Sequence, residues 1–458
     1  MNVDADLAVI SHLVDGDDQP LPRVEVTGPP SMAASAFDVD RALAASAAYA
    51  VAAADRVGGL RGGPVPTRSI DLEHLLAFCT THVEVDGEAV PAWADLSGVY
   101  ETTDGRHLQI HCNFDHHATG VVQRLGCAST RESVAAAIGE RNAFELEAAL
   151  IADGMIAAVV RTLDEWADHP HARATADLPL VSVEQIADAP PRALATGSDA
   201  DAPLRGVRVV DCSRVLAGPV AGQMLAGAGA DVIRIGAEHL PSVPIGVMAT
   251  GFGKRNAYAD IETDAGRTAL WELLSESDVW IDAYRPGALA SHGFTPERVA
   301  AARPGIVIVQ VCAFDWVGPW AGRRGFDSII QSTTGVRAAG GEWAVGDDGE
   351  PAGVGPIGLP VQALDYATGF LAAGVASQLV ARRAASGGSW LARLSLLRTR
   401  DWLLSMGGPT AFRPSPVAVD DRFLDEIDSD FGRIRSVRPF VGAWPGPPTR
   451  LGSSSPTW

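Results

Sequence analysis

The pattern of apolar and polar residues changes near residue 204, and from there to about residue 406 short apolar runs alternate with longer amphipathic stretches. The runs with the length and β-branched content of buried strands are GVRVVD (206–211), DVIRI (231–235), DVWIDAY (278–284) and GIVIVQVCAF (305–314). Helix-like stretches with fitting terminal residues are PVAGQMLAGAGA (219–230), TDAGRTALWELLSES and TPERVAAARP. Strands that alternate with helices predict an α/β fold, in which helices cover both faces of a parallel sheet.

Ligands of such sheets bind outside the carboxyl ends of the strands. We therefore expect the functional site among the loops that follow Val210, Ile235, Ala283 and Ala313. The first of these loops, SRVLAGP (213–219), ends a strand and opens a helix, so its backbone amides can bind an anionic or adenine-bearing ligand.

The region before residue 204 has a different pattern. Residues 38–78 contain an Ala-rich helix, a Gly-rich turn and a mixed segment, and residues 364–404 repeat this order with Asp40 opposite Asp365. The correspondence indicates either an internal repeat or the chance similarity of two Ala-rich helices. Residues 98–195 contain the strand patterns VYETTD and HLQIHC followed by several helices, which is typical of a small α+β unit.

Two Pro- and Ala-rich stretches, near Ala202 and from Gly407, divide the chain. The predicted units are an N-terminal helical region (1–97), a small α+β domain (98–200), a Rossmann-like large domain (203–406) and a C-terminal extended segment (407–458). The last of these is expected to pack on the domains. The repeat, if real, makes the first region a half-copy of the large domain.

The composition is globular but strongly acidic, with 36 Lys and Arg against 56 Asp and Glu and a net charge of −20. Such a charge repels phosphate backbones and argues against nucleic acid as a partner, and an anionic ligand needs a local cationic pocket. The N-terminus lacks the pattern of a signal peptide, and the Ala-rich stretch 42–54 is too short to span a bilayer. Five scattered cysteines argue against a disulfide scaffold. A cytoplasmic protein without membrane contact is expected.

Several familiar motifs are weak here. AGAGAD (226–231) lies at the end of a helix, where a C-cap explains its glycines better than a dinucleotide site does. The cluster His107, His111, Cys112, His116 and His117 lacks the accompanying spacing of a zinc site, so no metal is expected. Ser328 in GFDSII has no nucleophile elbow and no evident His partner, which argues against a serine hydrolase.

Two further segments are more specific. GKRN (253–256) places two cations beside a glycine, an arrangement suited to phosphates in an otherwise acidic protein. PIGLPVQALDYATG (356–369) places the carboxylate of Asp365 where a helix begins. For an isolated Asp at this position, helix capping is the better explanation.

Taken in order, these segments resemble family III of the CoA-transferases, the CaiB/BaiF family. The resemblance rests on LRGVRVVDCSRVLAGPVAGQMLAGAGADVIRI, GFGKRNAYADIET, DAYRPGALASHGF, RPGIVIVQVCAFDWVGPWAGRRGFDSIIQSTTG and PVQALDYATGFLAA. GVYETTDGRHLQIHCNFDHH through LDEWADHPHARA resembles the small domain of the same family. The order is unusual, because the small domain precedes the large one. Residues 1–200 resemble the tail of one transferase copy and residues 203–458 the front of a second.

The resemblance implies that Asp365 is the catalytic nucleophile, which carries acyl and CoA groups in turn. It implies CoA contacts from the residues that match the family's loops: Val215, Ala217, Lys254, Arg255, Arg285, Phe326 and Asp327. Acyl-CoA and a carboxylic acid are the implied substrates, without a permanently bound cofactor. A homodimer of the interlocked kind that the family forms is the implied assembly. Leu216 and Ala283 depart from the family, where some members have Gln and many have Asn.

Two alternatives to CoA transfer are weighed. An α-methylacyl-CoA racemase needs a His–Asp acid–base pair, and Phe326-Asp327 stands where that pair is expected. A non-catalytic CoA-binding protein is compatible with the rearranged order and the lost polar positions. The acids exchanged, and whether one chain or two complete the site, are not specified by the sequence.

Overall fold

The computed structural model describes residues 1–16, 20–197 and 199–458. In chain order, the described residues form the α-helices α1 (Asp4–Asp15), α2 (Val39–Leu60), α3 (Leu72–Phe78), α4 (Asp115–Leu125), α5 (Arg131–Gly139), α6 (Ala143–Ala152), α7 (Leu163–Ala167), α8 (Pro170–Thr175), α9 (Ala217–Gly227), α10 (Pro244–Thr250), α11 (Asp264–Glu276), α12 (Pro296–Ala302), α13 (Asp327–Thr333), α14 (Val336–Glu342), α15 (Ala363–Ser386) and α16 (Leu396–Ser405). The strands are β1 (Val24–Thr27), β2 (Arg68–Asp71), β3 (Val83–Val85), β4 (Glu88–Ala89), β5 (Gly98–Glu101), β6 (His107–Ile110), β7 (Ala157–Val159), β8 (Ser182–Ala187), β9 (Arg208–Cys212), β10 (Asp231–Gly236), β11 (Arg255–Tyr258), β12 (Val279–Asp282), β13 (Val307–Cys312), β14 (Ser389–Ser395), β15 (Leu424–Ser429) and β16 (Gly432–Val437).

A seven-stranded sheet in the order β11-β10-β9-β12-β13-β14-β8 forms the centre of the molecule. Its first six strands are parallel, and β8 adds to the edge antiparallel to β14. Strands β10 and β11 are added on one side of β9, and β12, β13 and β14 are added on the other side. Open α/β sheets bind ligands at such a switch in strand order, which here lies between β9 and β12. The predicted α/β class and the four predicted strands are confirmed.

Both faces of this sheet are buried, which explains why its strands are continuous apolar runs. Successive residues point to opposite faces, so Val209 packs in one core and Val210 in the other. Helices α9, α15 and α2 cover the first face, and α11 and α12 cover the second. These helices fix the loops at the carboxyl ends of the strands, where the candidate site lies.

The smaller sheets join parts of the chain that the sequence places in different units. Strands β5, β6 and β7 form an antiparallel sheet inside the small unit. Strand β8, from the predicted small domain, belongs instead to the large sheet. A four-stranded sheet has the order β15-β16-β3-β4, in which β3 pairs with β16. The C-terminal segment therefore contains the hairpin β15–β16 as well as extended chain. The N-terminal and C-terminal segments are therefore parts of one structure.

The two Ala-rich helices, α2 and α15, pack directly against each other in the main core. The Tyr49 hydroxyl donates to Gln378 Oε1 at 2.5 Å, and a Cβ at Gly374 would overlap the Tyr49 ring. Asp40 and Asp365 both lie buried in the first turn of these helices. The repeat proposed from the sequence thus corresponds to two neighbouring long helices with similarly placed carboxylates.

No described helix has both the length and the apolar character needed to cross a membrane.

Candidate active site

A cavity of about 410 Å³ opens at the carboxyl edge of the large sheet and contains Asp365 in its wall. The large domain contributes the loops after β9, β12 and β13 and the beginning of α15. The small unit contributes Phe114, His116, His117 and Ile156. Both parts of the chain therefore wall one cavity.

Asp365 is the third residue of α15 and is 7% exposed. The backbone N–H of Ala217, the first residue of α9, lies near its carboxylate and lowers the pKa of that carboxyl. Val215, two residues before Ala217, has a φ of 71°, a left-handed conformation that is strained for a β-branched residue. The strained loop thus places the first N–H of α9 near the carboxylate of Asp365.

Asp327, the first residue of α13, is hydrogen-bonded to the backbone of Asp365. Its Oδ2 accepts the backbone N–H of Asp365 at 2.9 Å, and its Oδ1 accepts a hydrogen bond from Gln331 Nε2. Asp327 is completely buried and does not line the cavity. Its contacts assign it to positioning the first turn of α15 instead of binding a ligand directly.

Burial dominates the electrostatics of this pair. Burial raises the pKa of Asp365 well above its ordinary value, the negative charge of Asp327 raises it further, and the Ala217 amide opposes both effects. Burial likewise raises the pKa of Asp327 to about 6. Although Asp365 lies in the first turn of α15, the desolvation of its carboxylate outweighs the nearby backbone amide in its effect on the pKa.

Val215, Ala217, Arg285 and Phe326, which the resemblance assigns to CoA contacts, lie together with Asp365 in the wall of the cavity. The Phe326 ring stacks on His111 of the small unit, with 4.1 Å between ring centroids. Arg285 is exposed and also lines a second cavity of about 230 Å³ beside the ends of β9, β10 and β11. The two cavities share lining residues and form one continuous depression.

The two cations of GKRN are not directed into this depression. Lys254 is completely buried, and its Nζ donates to Asp211 Oδ2 at 3.1 Å and to the Pro219 carbonyl at 2.9 Å. Arg255 pairs with Asp231 at 3.1 Å on the outer edge of the sheet. The prediction that both cations face phosphates assumed exposed side chains, whereas here each already has a carboxylate partner.

The structure adds two cavity residues that the sequence reasoning did not single out, Arg214 and Arg324, and it also places His116 and His117 there. Arg214 lies within SRVLAGP and Arg324 directly precedes GFDS, so their position in or beside a motif was the available signal. The histidines were considered only as zinc ligands. Burial lowers the pKa of His117 to about 3, so its imidazole is neutral at physiological pH.

Comparisons with known proteins agree with the geometry of this edge. Residues 204–411 match the family described as CoA-transferase family III. An acyl-CoA transferase of Gibberella moniliformis is 31% identical over 71% of this chain and 63% of the relative. A succinate–glutarate CoA-transferase of Agrobacterium fabrum is 33% identical over 32% of this chain and 41% of the relative. The chain thus spans less than two thirds of the length of either relative.

Among solved structures, a CAIB/BAIF family protein from Brucella suis is 26% identical with a TM-score of 0.39. The match covers 51% of this chain and 65% of that chain.

Proposed function

We propose, from the match of residues 204–411 to CoA-transferase family III, that the chain moves CoA from an acyl-CoA to a carboxylic acid through Asp365. The observation that carries the proposal is the position of this carboxylate. Asp365 lies in the wall of a 410 Å³ cavity at the carboxyl edge of the sheet, near the Ala217 N–H at the start of α9. The proposed reaction class is that of CoA-transferases acting between carboxylic acids.

In the first half-reaction, a carboxylate oxygen of Asp365 attacks the thioester carbonyl carbon. The C–S bond breaks, CoA leaves as the thiolate, and an acyl–aspartyl anhydride remains. The thiolate then attacks the aspartyl carbonyl, so the donor acid leaves as its carboxylate and an aspartyl-CoA thioester forms.

In the second half-reaction, the acceptor carboxylate attacks the aspartyl carbonyl and expels the CoA thiolate. The thiolate attacks the acceptor carbonyl of the new anhydride, which forms the product thioester and regenerates the Asp365 carboxylate. No net proton or electron is required, so the proposal needs no permanently bound cofactor. The Ala217 N–H is placed to stabilise the oxygen on which charge develops during these steps.

We place the nucleotide part of CoA in the 230 Å³ cavity and its thiol end near Asp365. Leu240, Tyr284, Arg285 and Ala288 line both cavities and would contact the connecting pantetheine arm. Val215 and Ala217 then border the thioester end, and Arg285 is the exposed cation nearest the junction.

Incubation with an acyl-CoA, followed by intact-mass measurement, tests the covalent route. A CoA adduct is expected, and hydroxylamine should convert it to a hydroxamate that peptide mass spectrometry locates at Asp365. The variant Asp365→Asn serves as the control and should give neither product. Bound CoA without an adduct would indicate the non-catalytic CoA-binding alternative.

A racemase-like isomerase remains the second candidate, because His117 lines the same cavity as Asp365. Such an enzyme needs two groups that exchange a proton at the carbon next to the thioester. Incubation of a 2-methylacyl-CoA in D₂O separates the two candidates. Deuterium incorporation without transfer to an acceptor acid would favour the isomerase, and transfer without incorporation favours CoA transfer.

The homodimer and the cytoplasmic location expected from the sequence stay proposals. Light scattering at several protein concentrations tests the first, and fractionation of cells that express the full chain tests the second.

A further inference from the structure

Three arginines line the 410 Å³ cavity, namely Arg214, Arg285 and Arg324, whereas Asp365 is the one acid among its described lining residues. No ion pair between described residues involves any of these three arginines. In a protein with a net charge of −20, cations without carboxylate partners in a cavity are unusual. This local excess of positive charge is suited to an anionic ligand.

The arginines fall into two groups by position. Arg285 lies at the junction with the 230 Å³ cavity, on the side where the nucleotide of CoA is placed. Arg214 and Arg324 instead contact the small unit. The Arg214 guanidinium lies 5.3 Å from the centroid of the Phe114 ring, and Arg324 Nη1 donates to the Gly154 carbonyl at 2.9 Å.

The surroundings of this second pair differ from those of the nucleotide. The small-unit wall of the cavity is made of Phe114, His116, His117 and Ile156, with Phe326 opposite His111. Both Arg214 and Arg324 are close enough to lower the pKa of His116 and of His117 by charge repulsion, although burial is the larger cause. The two guanidinium groups and the histidines therefore share one end of the cavity.

We propose that this end of the cavity binds the acyl group and that Arg214 and Arg324 select acids with a second carboxylate, so that the substrates are dicarboxylic acids and their CoA half-thioesters. The inference rests on the proposed function, since it assigns the part of the acyl-CoA that lies beyond the thioester. A guanidinium presents paired N–H donors that match a carboxylate, which an aliphatic acyl chain cannot use.

The test compares succinyl-CoA with butyryl-CoA, which have equal numbers of acyl carbons and differ in the terminal carboxylate. Both are assayed as donors to one acceptor acid. The wild-type chain should have the higher kcat/KM with succinyl-CoA. In Arg324→Gln, the ratio of the two kcat/KM values should fall about 10- to 100-fold, the range for losing a charge-assisted hydrogen bond. Arg324→Lys should restore part of the ratio.

Arg285→Gln is the matched control, because that arginine lies at the nucleotide side. It should lower kcat/KM for both donors by the same factor and leave their ratio unchanged. An equal loss for both donors in Arg324→Gln would overturn the inference, since Arg324 would then bind a part of CoA common to both. A wild-type chain that transfers CoA without preferring succinyl-CoA would also overturn it. Absence of transfer from either donor would instead contradict the proposed function.

Discussion

The backbone N–H of Asp365 donates to Oδ2 of Asp327 at 2.9 Å, so two buried acidic residues are joined through the main chain at the start of α15. The arrangement separates two roles. The carboxylate of Asp327 accepts the backbone N–H of Asp365 and so fixes the start of α15. The carboxylate of Asp365 faces the cavity and lies near the Ala217 N–H. The predictions below test this division and the packing that maintains it.

Asp365→Asn and Asp40→Asn make a matched pair, because both carboxylates are buried in the first turn of a long helix. Asp365→Asn should reduce kcat by about 10³-fold or more, since an amide is not a nucleophile. Asp40 accepts the N–H groups of Met32 and Ala33 at 2.6 and 2.9 Å, and an Asn can accept only one of them well. Its replacement should lower the free energy of unfolding by about 1–3 kcal/mol and leave kcat intact.

Transfer assays and urea denaturation of both variants check this pair. Loss of transfer in Asp40→Asn at full stability would contradict the assignment of a structural role to Asp40.

The pH dependence of kcat/KM should show an acidic limb governed by Asp365. Its raised pKa means that the carboxylate holds a proton over a wider range, and activity rises as pH rises through that pKa. In Asp327→Asn the neighbouring negative charge is gone, so the pKa of Asp365 falls and the limb should move to lower pH. The Asn Oδ1 can still accept the Asp365 N–H. A limb that stays in place would show that Asp327 does not influence the nucleophile.

The same substitution should change how stability depends on pH. The pKa of Asp327 is about 6 in the folded chain and about 3.9 when unfolded. Between these values the folded chain holds the proton that the unfolded chain has released, so stability decreases as pH rises through this window. The decrease should be smaller in Asp327→Asn, as measured by urea denaturation at several pH values.

Gly369 provides a test of the contact between α15 and α9. A Cβ at this position would lie 2.7 Å from the Ala217 carbonyl oxygen and 2.8 Å from Val220 Cβ. Gly369→Ala should therefore push the helices apart, lower stability by about 1–3 kcal/mol and reduce transfer by moving the Ala217 N–H from Asp365. Gly139→Ala in α5 is the control, since the nearest atom to its Cβ is 4.0 Å away. Full activity in Gly369→Ala would argue that the Ala217 contact is dispensable.

Lys254 is predicted to act through stability. Lys254→Met leaves Asp211 buried without its cation, which should cost about 3–5 kcal/mol of unfolding free energy. Combining it with Asp211→Asn should recover part of that loss, because the unpaired charge is then absent. A variant that keeps its stability and shows only a raised KM for acyl-CoA would restore the phosphate-binding role inferred from GKRN.

The strands and Asp365 were predictable because their signals are local. The run 305–314 is apolar and β-branched, and β13 occupies 307–312 within it. No such signal exists for β8: in SVEQIA the polar residues stand at 182, 184 and 185, without regular alternation, and its partner β14 lies far along the chain. Strand pairing at this separation depends on the tertiary fold and not on local propensity.

The residues of the candidate site were predictable where they belong to a local motif, and not where the tertiary fold brings them to the cavity. Val215, Ala217 and Phe326 could be placed because they belong to ordered motifs. Arg324 has no pattern of its own, and only the approach of the small unit brings it to the cavity. The burial of Lys254 could not be foreseen, because an exposed and a buried lysine have the same local sequence signature.

The cavity is walled by Phe114 and His117 from the small unit and by Asp365 from the large domain, all within one chain. Because both walls belong to one chain, the effective concentration of the small unit near the large domain is fixed by the covalent linkage. It does not change when the protein is diluted. The described walls of the cavity are thus brought together without an encounter between molecules.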